Sequence, residues 1–270
     1  MTRCVLAAAA LIASATVSAA ADEKAPAPDE QSNIGITVST GLDYSSGRYG
    51  DTQSTDTLVS LNSLTFNKGN FQFIVSMPYL TITGPAYAVV GAGGVPVVIR
   101  PKGGATSTYR TGWGDLGLNA LYTIPAEDFY DFEVTLTGHT KIATANASKG
   151  LSTGATDFGF SLDVSRQWDD WGPFVTLGYN VPGSPSFYAF NDAPSFSVGT
   201  SYQASDNFFL IGSYDFDGSI SSTLPDAQQL FTSASWEFSE HWTTTAYAEF
   251  GLSSGAPKVG TGLMLSWKIL

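Results

Sequence analysis

Residues 116–124 read LGLNALYTI, and every second side chain is apolar: Leu116, Leu118, Ala120, Tyr122 and Ile124. Gly117, Asn119, Leu121 and Thr123 fall between them. Side chains on a strand alternate between faces, so such a stretch has one apolar and one polar side. The pattern recurs along the chain. Ile34, Ile36, Val38, Leu42 and Tyr44 share one phase, as do Phe71, Phe73, Val75, Met77 and Tyr79. Phe132, Val134, Leu136 and Ile142 oppose Glu133, Thr135, Thr137, His139 and Lys141. Phe158, Phe160, Leu162 and Val164 oppose Asp157, Ser161, Asp163 and Ser165. From Asn33 onward no segment has helical periodicity, so the region is all-β.

Which face meets water decides the rest. Only 13% of the 270 residues are charged, against about 25% in ordinary soluble domains. A soluble sheet would expose its polar face and load it with Lys and Glu. Here that face carries Gly, Ser, Thr, Asn and single acids. In a membrane barrel the apolar face meets lipid and the polar face lines the interior. Aromatic residues gather near strand ends, among them Trp113, Tyr122, Trp168, Trp171, Trp236, Trp242 and Trp267, as they do at membrane–water interfaces. A secreted β-sandwich with aromatic edges is the competing arrangement. A closed barrel has no exposed edge strands, which so long a meander would otherwise present.

The connections also alternate. Those near 67–70, 125–131, 169–172, 204–207 and 239–242 are short. Those at 45–54, 83–111, 144–154, 182–193, 218–227 and 253–257 are mostly longer and rich in Gly, Pro, Ser and Thr. The expectation is an all-β, transmembrane, antiparallel up-and-down β-barrel of about twelve strands over 34–270, with both ends on the short-turn, periplasmic side.

The N-terminus reads as a secretory signal peptide over 1–21. Arg3 precedes an Ala/Leu-rich run too short to span a bilayer, and Val17-Ser18-Ala19 and Ala19-Ala20-Ala21 offer cleavage sites. Residues 22–33, DEKAPAPDEQSN, read as a flexible periplasmic tail. The single cysteine, Cys4, lies within the leader, so the mature barrel is expected to use neither disulfides nor thiolate metal sites. The formal net charge of −12 argues against nucleic acid as a partner. No 18-residue apolar run occurs in the body of the chain, which excludes a helical span there.

With this register the interior set comprises Asp43, Asp115, Glu133, His139, Lys141, Asp157, Asp163, Asp215, Glu237 and Glu249, joined by Asp217 and Lys268. These are the candidate pore-lining residues. Carboxylate rings favour cations, so a cation-favouring pore, or one for neutral solutes, is expected. The same acids could instead be hydrogen-bonded across a filled interior. Twelve strands leave a narrow lumen, between the filled barrels of about 8 strands and the aqueous channels of about 16.

The longest loop, 84–112, has an apolar centre from Tyr87 to Ile99, which is costly to expose. It can fold into the barrel mouth as a constriction or rise as a hairpin with Gly93-Gly94 at its tip; the hairpin is preferred. Arg100, Lys102 and Arg110 place positive charge near the outer mouth, where lipopolysaccharide phosphates or solvent could meet it.

Catalysis is not expected. The two histidines are His139, mid-strand, and His241, in a predicted periplasmic turn. A Ser–His hydrolase needs its pair in one environment with an oxyanion donor, and no Gly-x-Ser-x-Gly elbow occurs. Asp215-x-Asp217 resembles the paired acids of omptin proteases without their His–Asp partner strand. Two histidines without cysteine argue against a transition-metal site, and no EF-hand spacing occurs. No cofactor is expected.

Three pieces carry a family resemblance: SMPYLTITG (76–84), GWGDLGLNALY (112–122) and KIATANASKGLSTGATDFGFSLDVSR (141–166). With them the chain resembles the outer-membrane transporters of the "MetA-pathway of phenol degradation" family. There a Pro-containing strand precedes a variable loop, a Gly-x-Gly-Asp-x-x-Leu-like strand follows, and a Gly-Thr-Gly-like turn leads into the next strand. LSTGATDFGFSLDVS fits that last piece, whereas KIATANASKG lacks a Pro-Thr-Gly. The resemblance implies an outer-membrane channel taking up aromatic or other apolar small molecules, and it carries no catalytic or binding residues. The expected setting is the outer membrane of a Gram-negative bacterium, with lipid, lipopolysaccharide and a small solute as partners. The alternatives are a narrow structural or adhesive barrel with a plugged interior, or a barrel hydrolase.

Overall fold

The computed structural model describes residues 34–86, 88–90, 96–98, 107–185, 188–220 and 225–270. The leader and tail at 1–33, the Gly93-Gly94 tip, Arg100 and Lys102 lie outside them. Twelve strands follow one another around a closed antiparallel barrel. They are β1 (Gly35–Gly47), β2 (Thr55–Lys68), β3 (Phe71–Ser76 continued by Tyr79–Pro85), β4 (Ser107–Trp113 continued by Leu116–Ile124), β5 (Glu133–Ile142) and β6 (Asp157–Ser165). Then come β7 (Trp171–Val181), β8 (Ala193–Ser205), β9 (Phe208–Asp217), β10 (Ala227–Ser239), β11 (Trp242–Gly251) and β12 (Val259–Lys268). Each strand pairs with its sequence neighbours. β1 also pairs with β12, from Thr37↔Lys268 to Ser46↔Val259, and this pairing closes the ring.

The apolar phase of each strand points outward. Phe158 and Phe160 are 58% and 60% exposed, while Asp157 and Asp163, in the opposite phase of the same strand, are buried. Ring pairs line the outer surface near both rims. Trp242 and Trp267 stack at 5.7 Å and Phe71 meets Tyr122 at 4.7 Å at the short-turn end. Tyr79 meets Trp113 edge-on at 5.3 Å toward the long-loop end. Such belts suit an amphipathic interface on either side of an apolar band.

Two neighbouring strands are broken at one height. Pro78 has no N–H, so β3 drops out of the ladder there. Met77 N still donates to Asn62 O at 3.0 Å, and Gly114 N to Pro78 O at 2.8 Å. On β4, three residues (Gly114, Asp115 and Leu116) stand opposite two on β3 (Met77 and Pro78), between the pairs Tyr79↔Trp113 and Ser76↔Gly117. This one-residue bulge shifts the outward phase from Tyr109 and Trp113 to Leu118 and Tyr122. It also turns Asp115 inward.

The long loop begins later than expected, because β3 and β4 pair as far as Pro85↔Ser107. Beyond them Ala88–Val90 pairs with Pro96–Val98 as a short ribbon. The flanks of the loop are therefore paired as a hairpin. Val89 of this ribbon packs with Tyr188 and Phe190 of the β7–β8 loop and Ile220 of the β9–β10 loop. These three loops meet at the long-loop end.

Candidate functional site: the barrel interior

The interior divides into two halves of different chemistry. On the β2–β5 side, the β5–β6 loop (143–156) folds into the barrel. Its Leu151 is 2% exposed and packs on Val59, Leu61, Leu80 and Ile82, the inward residues of β2 and β3, with Ala145 beside them. Asp115 anchors this loop. Its Oδ1 accepts from Thr144 N at 3.0 Å and Ala145 N at 2.9 Å. Its Oδ2 accepts from Ser152 Oγ at 2.5 Å and Lys141 Nζ at 2.9 Å. Lys141 also donates to Thr153 Oγ1 at 3.2 Å and Ala155 O at 3.1 Å, and lies 3.1 Å from Asp157 Oδ2 as an ion contact. Asp157 Oδ1 accepts from Gly183 N at 2.8 Å. One cation thus sits between two carboxylates, and nearly every polar group of the cluster is engaged.

The other half carries acids of a different kind. Asp43 (β1), Asp215 and Asp217 (β9) and Glu249 (β11) lie on inward positions, and Glu249 is within electrostatic reach of the other three. Tyr247 Oη donates to Asp43 Oδ2 at 2.7 Å. Ser197 and Ser213 donate to Asp215 Oδ1 at 2.5 and 3.0 Å. The ion pairs among the described residues are Lys141 with Asp115 and Asp157, and Arg166 with Asp131. None includes these four acids. β12 presents only Gly260 and Gly262 at this level, and a Cβ at 262 would sit 2.2 Å from Tyr247 Cζ. The glycine lets the ring lie across β12 and reach Asp43. Below the acids an apolar strip runs along Ile211, Phe231, Tyr247 and Met264.

The remaining candidates are dispersed. Asp163 is buried and accepts from Thr176 Oγ1 at 2.5 Å. Glu133 is buried near the short-turn end, and Glu237 lies on an inward position near the same end, opposite Thr243. His139 lies over Gly159 and its Nε2 is 3.1 Å from Asn180 Oδ1. The structure does not bring His139 to Asp215, which is four strands away. Arg110 departs from the expectation of a loop charge facing phosphate or solvent. Its guanidinium turns inward and donates to Ala88 O at 2.5 Å and Pro85 O at 3.2 Å.

Two features were not foreseen: the inward β5–β6 loop and the apolar positions on the inner wall. The signal for both was present. TLVSLNSLTF (57–66) and YLTI (79–82) place apolar residues in both phases, as only a strand covered on both sides would.

No family model matches the chain, and no curated protein matches it. Solved structures do. An outer membrane channel from Pseudomonas putida F1 superposes with a TM-score of 0.65 at 11% identity, over 90% of this chain and 100% of that one. The NanC porin gives 0.50 at 11% identity, over 87% and 100%. The translocator domain of the autotransporter NalP from Neisseria meningitidis gives 0.50 at 10% identity, over 87% and 88%. At such identities the likeness is one of fold: this chain has the architecture of an outer-membrane barrel.

Proposed function

We propose that this protein is a passive, cation-favouring diffusion channel of a Gram-negative outer membrane. The observation that carries the reading is the imbalance of charge in the interior. Lys141 is held between Asp115 and Asp157, whereas Asp43, Asp217 and Glu249 share one half of the ring with no ion pair among the described residues, and Asp215 beside them is buried and bound by Ser197 and Ser213. A wall of this kind lowers the energy of a passing cation and raises that of an anion. The architecture shared with an outer membrane channel and a porin supports the same reading. Uptake of apolar or aromatic solutes is the finer part of the proposal. It rests on the sequence resemblance given above and on the inner strip of Ile211, Phe231, Tyr247 and Met264, which offers apolar contact beside the acids.

A second reading has its own support. Val89, Tyr188, Phe190 and Ile220 join three loops at the long-loop end, as a closed structural or adhesive barrel would require. Planar-bilayer recording of the refolded chain in a salt gradient separates the two. Discrete steps with a cation-favouring reversal potential support the channel, and Asp217→Asn combined with Glu249→Gln should move that potential toward zero. Silence from a chain whose folding is shown by heat-modifiable gel mobility favours the closed barrel.

A further inference from the structure

We infer that the β5–β6 loop is the size-selecting element of the channel and that Asp115 is the residue that positions it. The inference rests on the channel reading above. A β5–β6 connection needs only a short turn to join Ile142 to Asp157, because Asp157 already pairs with Lys141. Residues 143–156 instead fold inward over β4 to a wall two and three strands from β5. There Leu151 covers Val59, Leu61, Leu80 and Ile82, an apolar patch that would otherwise face water inside the barrel.

The fit is built from both sides. Gly112 leaves the space Leu151 fills, since a Cβ there would lie 2.7 Å from Leu151 Cδ1. Gly150 takes φ +69° and Gly154 φ +76°, a region that favours glycine, and Arg110 lies against Gly150. Asp115 joins the two ends of the loop, accepting from Thr144 N and Ala145 N at one end and Ser152 Oγ at the other. The strand bulge is repaid locally, because Leu116 N, freed from the ladder, donates to Thr144 Oγ1 at 3.0 Å. A carboxylate carried by a bulge in the wall therefore sets how far the loop reaches into the lumen. The free passage is what remains between the loop and the carboxylate-bearing half of the ring.

The test is single-channel conductance together with exclusion of graded polyethylene glycols. Three variants are compared with the wild type: Asp115→Ala, Leu151→Ser, and a chain in which residues 144–155 are replaced by a two-residue Asn-Gly turn. Each should raise conductance by about twofold or more and admit larger polymers, since a cleared barrel of this strand number widens toward an aqueous channel. Asp115→Asn keeps the acceptor for Thr144 N and Ala145 N and should restore most of the wild-type cut-off, which distinguishes positioning from a general loss of stability. The shortened-loop chain keeps every strand pairing, so it reads the effect even if Asp115→Ala does not fold. A silent wild type with conducting variants would also support the inference. Conducting wild type and folded variants with the same cut-off would overturn it and leave the channel standing. Silence from all of them would overturn the channel and this inference together.

Discussion

At the residue scale, the interior depends on a few side chains placed by what their neighbours lack. Tyr247 reaches Asp43 only because position 262 is glycine. Gly262→Ala would force the ring aside and leave Asp43 without its phenolic donor. Overpacking of this kind costs about 1–3 kcal/mol, and losing a single hydrogen bond about 1 kcal/mol. Urea unfolding followed by tryptophan fluorescence should therefore show Gly262→Ala less stable than Tyr247→Phe, and both less stable than wild type. Position also decides which acids bear on ions. Asp163 is buried and bound to Thr176, so Asp163→Asn should leave the reversal potential unchanged, in contrast to the Asp217 and Glu249 pair. The alternation of FSLDVS shows that Asp163 points inward. It does not show that Thr176, on the next strand, takes up its oxygen, because that depends on register between strands.

At the element scale, most strands pair an apolar, exposed outer face with a polar inner one. Phe160 is 60% exposed on the outer face and Ser161, its neighbour, lies on the inner one. Phe160→Arg should destabilise the barrel by about 2–4 kcal/mol, the cost of a charge near the middle of the lipid face. Ser161→Arg should fold nearly as well as wild type and weaken cation preference. Unfolding in lipid vesicles checks the first and reversal potentials the second; equal destabilisation by both would contradict the assignment of faces. Strand existence and phase were readable wherever one face was apolar and the other polar, as in β5 and β6. The interruptions were harder to read. Trp113 and Leu118 belong to opposite phases of one segment, and that slip marks the bulge which carries Asp115. The weak alternation of β2 and the upper part of β3 marked a wall covered by another segment, although it could not say which. In the sequence the loop at 84–112 is the conspicuous one because its centre is apolar. The segment that folds inward is polar apart from a few residues, and a single Leu151 anchors it.

At the scale of the whole molecule, the strand count followed from the spacing of the connections and closure from the edges an open meander would expose, whereas the division of the interior followed from neither. That division arises because strands far apart in sequence share a ring. β1 and β11 stand on either side of β12, so Asp43 and Glu249 become neighbours across two glycines. The loop from β5 to β6, by contrast, leans on β2 and β3. In the channel reading, the passage has acids along one side and, along the other, a loop held beside Lys141, whose charge is already paired with Asp115 and Asp157. Selectivity of this origin is electrostatic, and it must fall with salt. The Debye length is about 10 Å at 0.1 M and about 3 Å at 1 M, so at high salt mobile ions screen the wall from the centre of the passage. The cation-to-anion permeability ratio, taken from reversal potentials at a fixed concentration gradient, should be high near 0.1 M KCl and approach unity near 1 M. The double variant Asp217→Asn with Glu249→Gln should begin lower and change less over the same range. A ratio independent of salt in both proteins would instead mean that ions are sorted in close contact with fixed groups, and the acids of β1, β9 and β11 would then be supports for the wall.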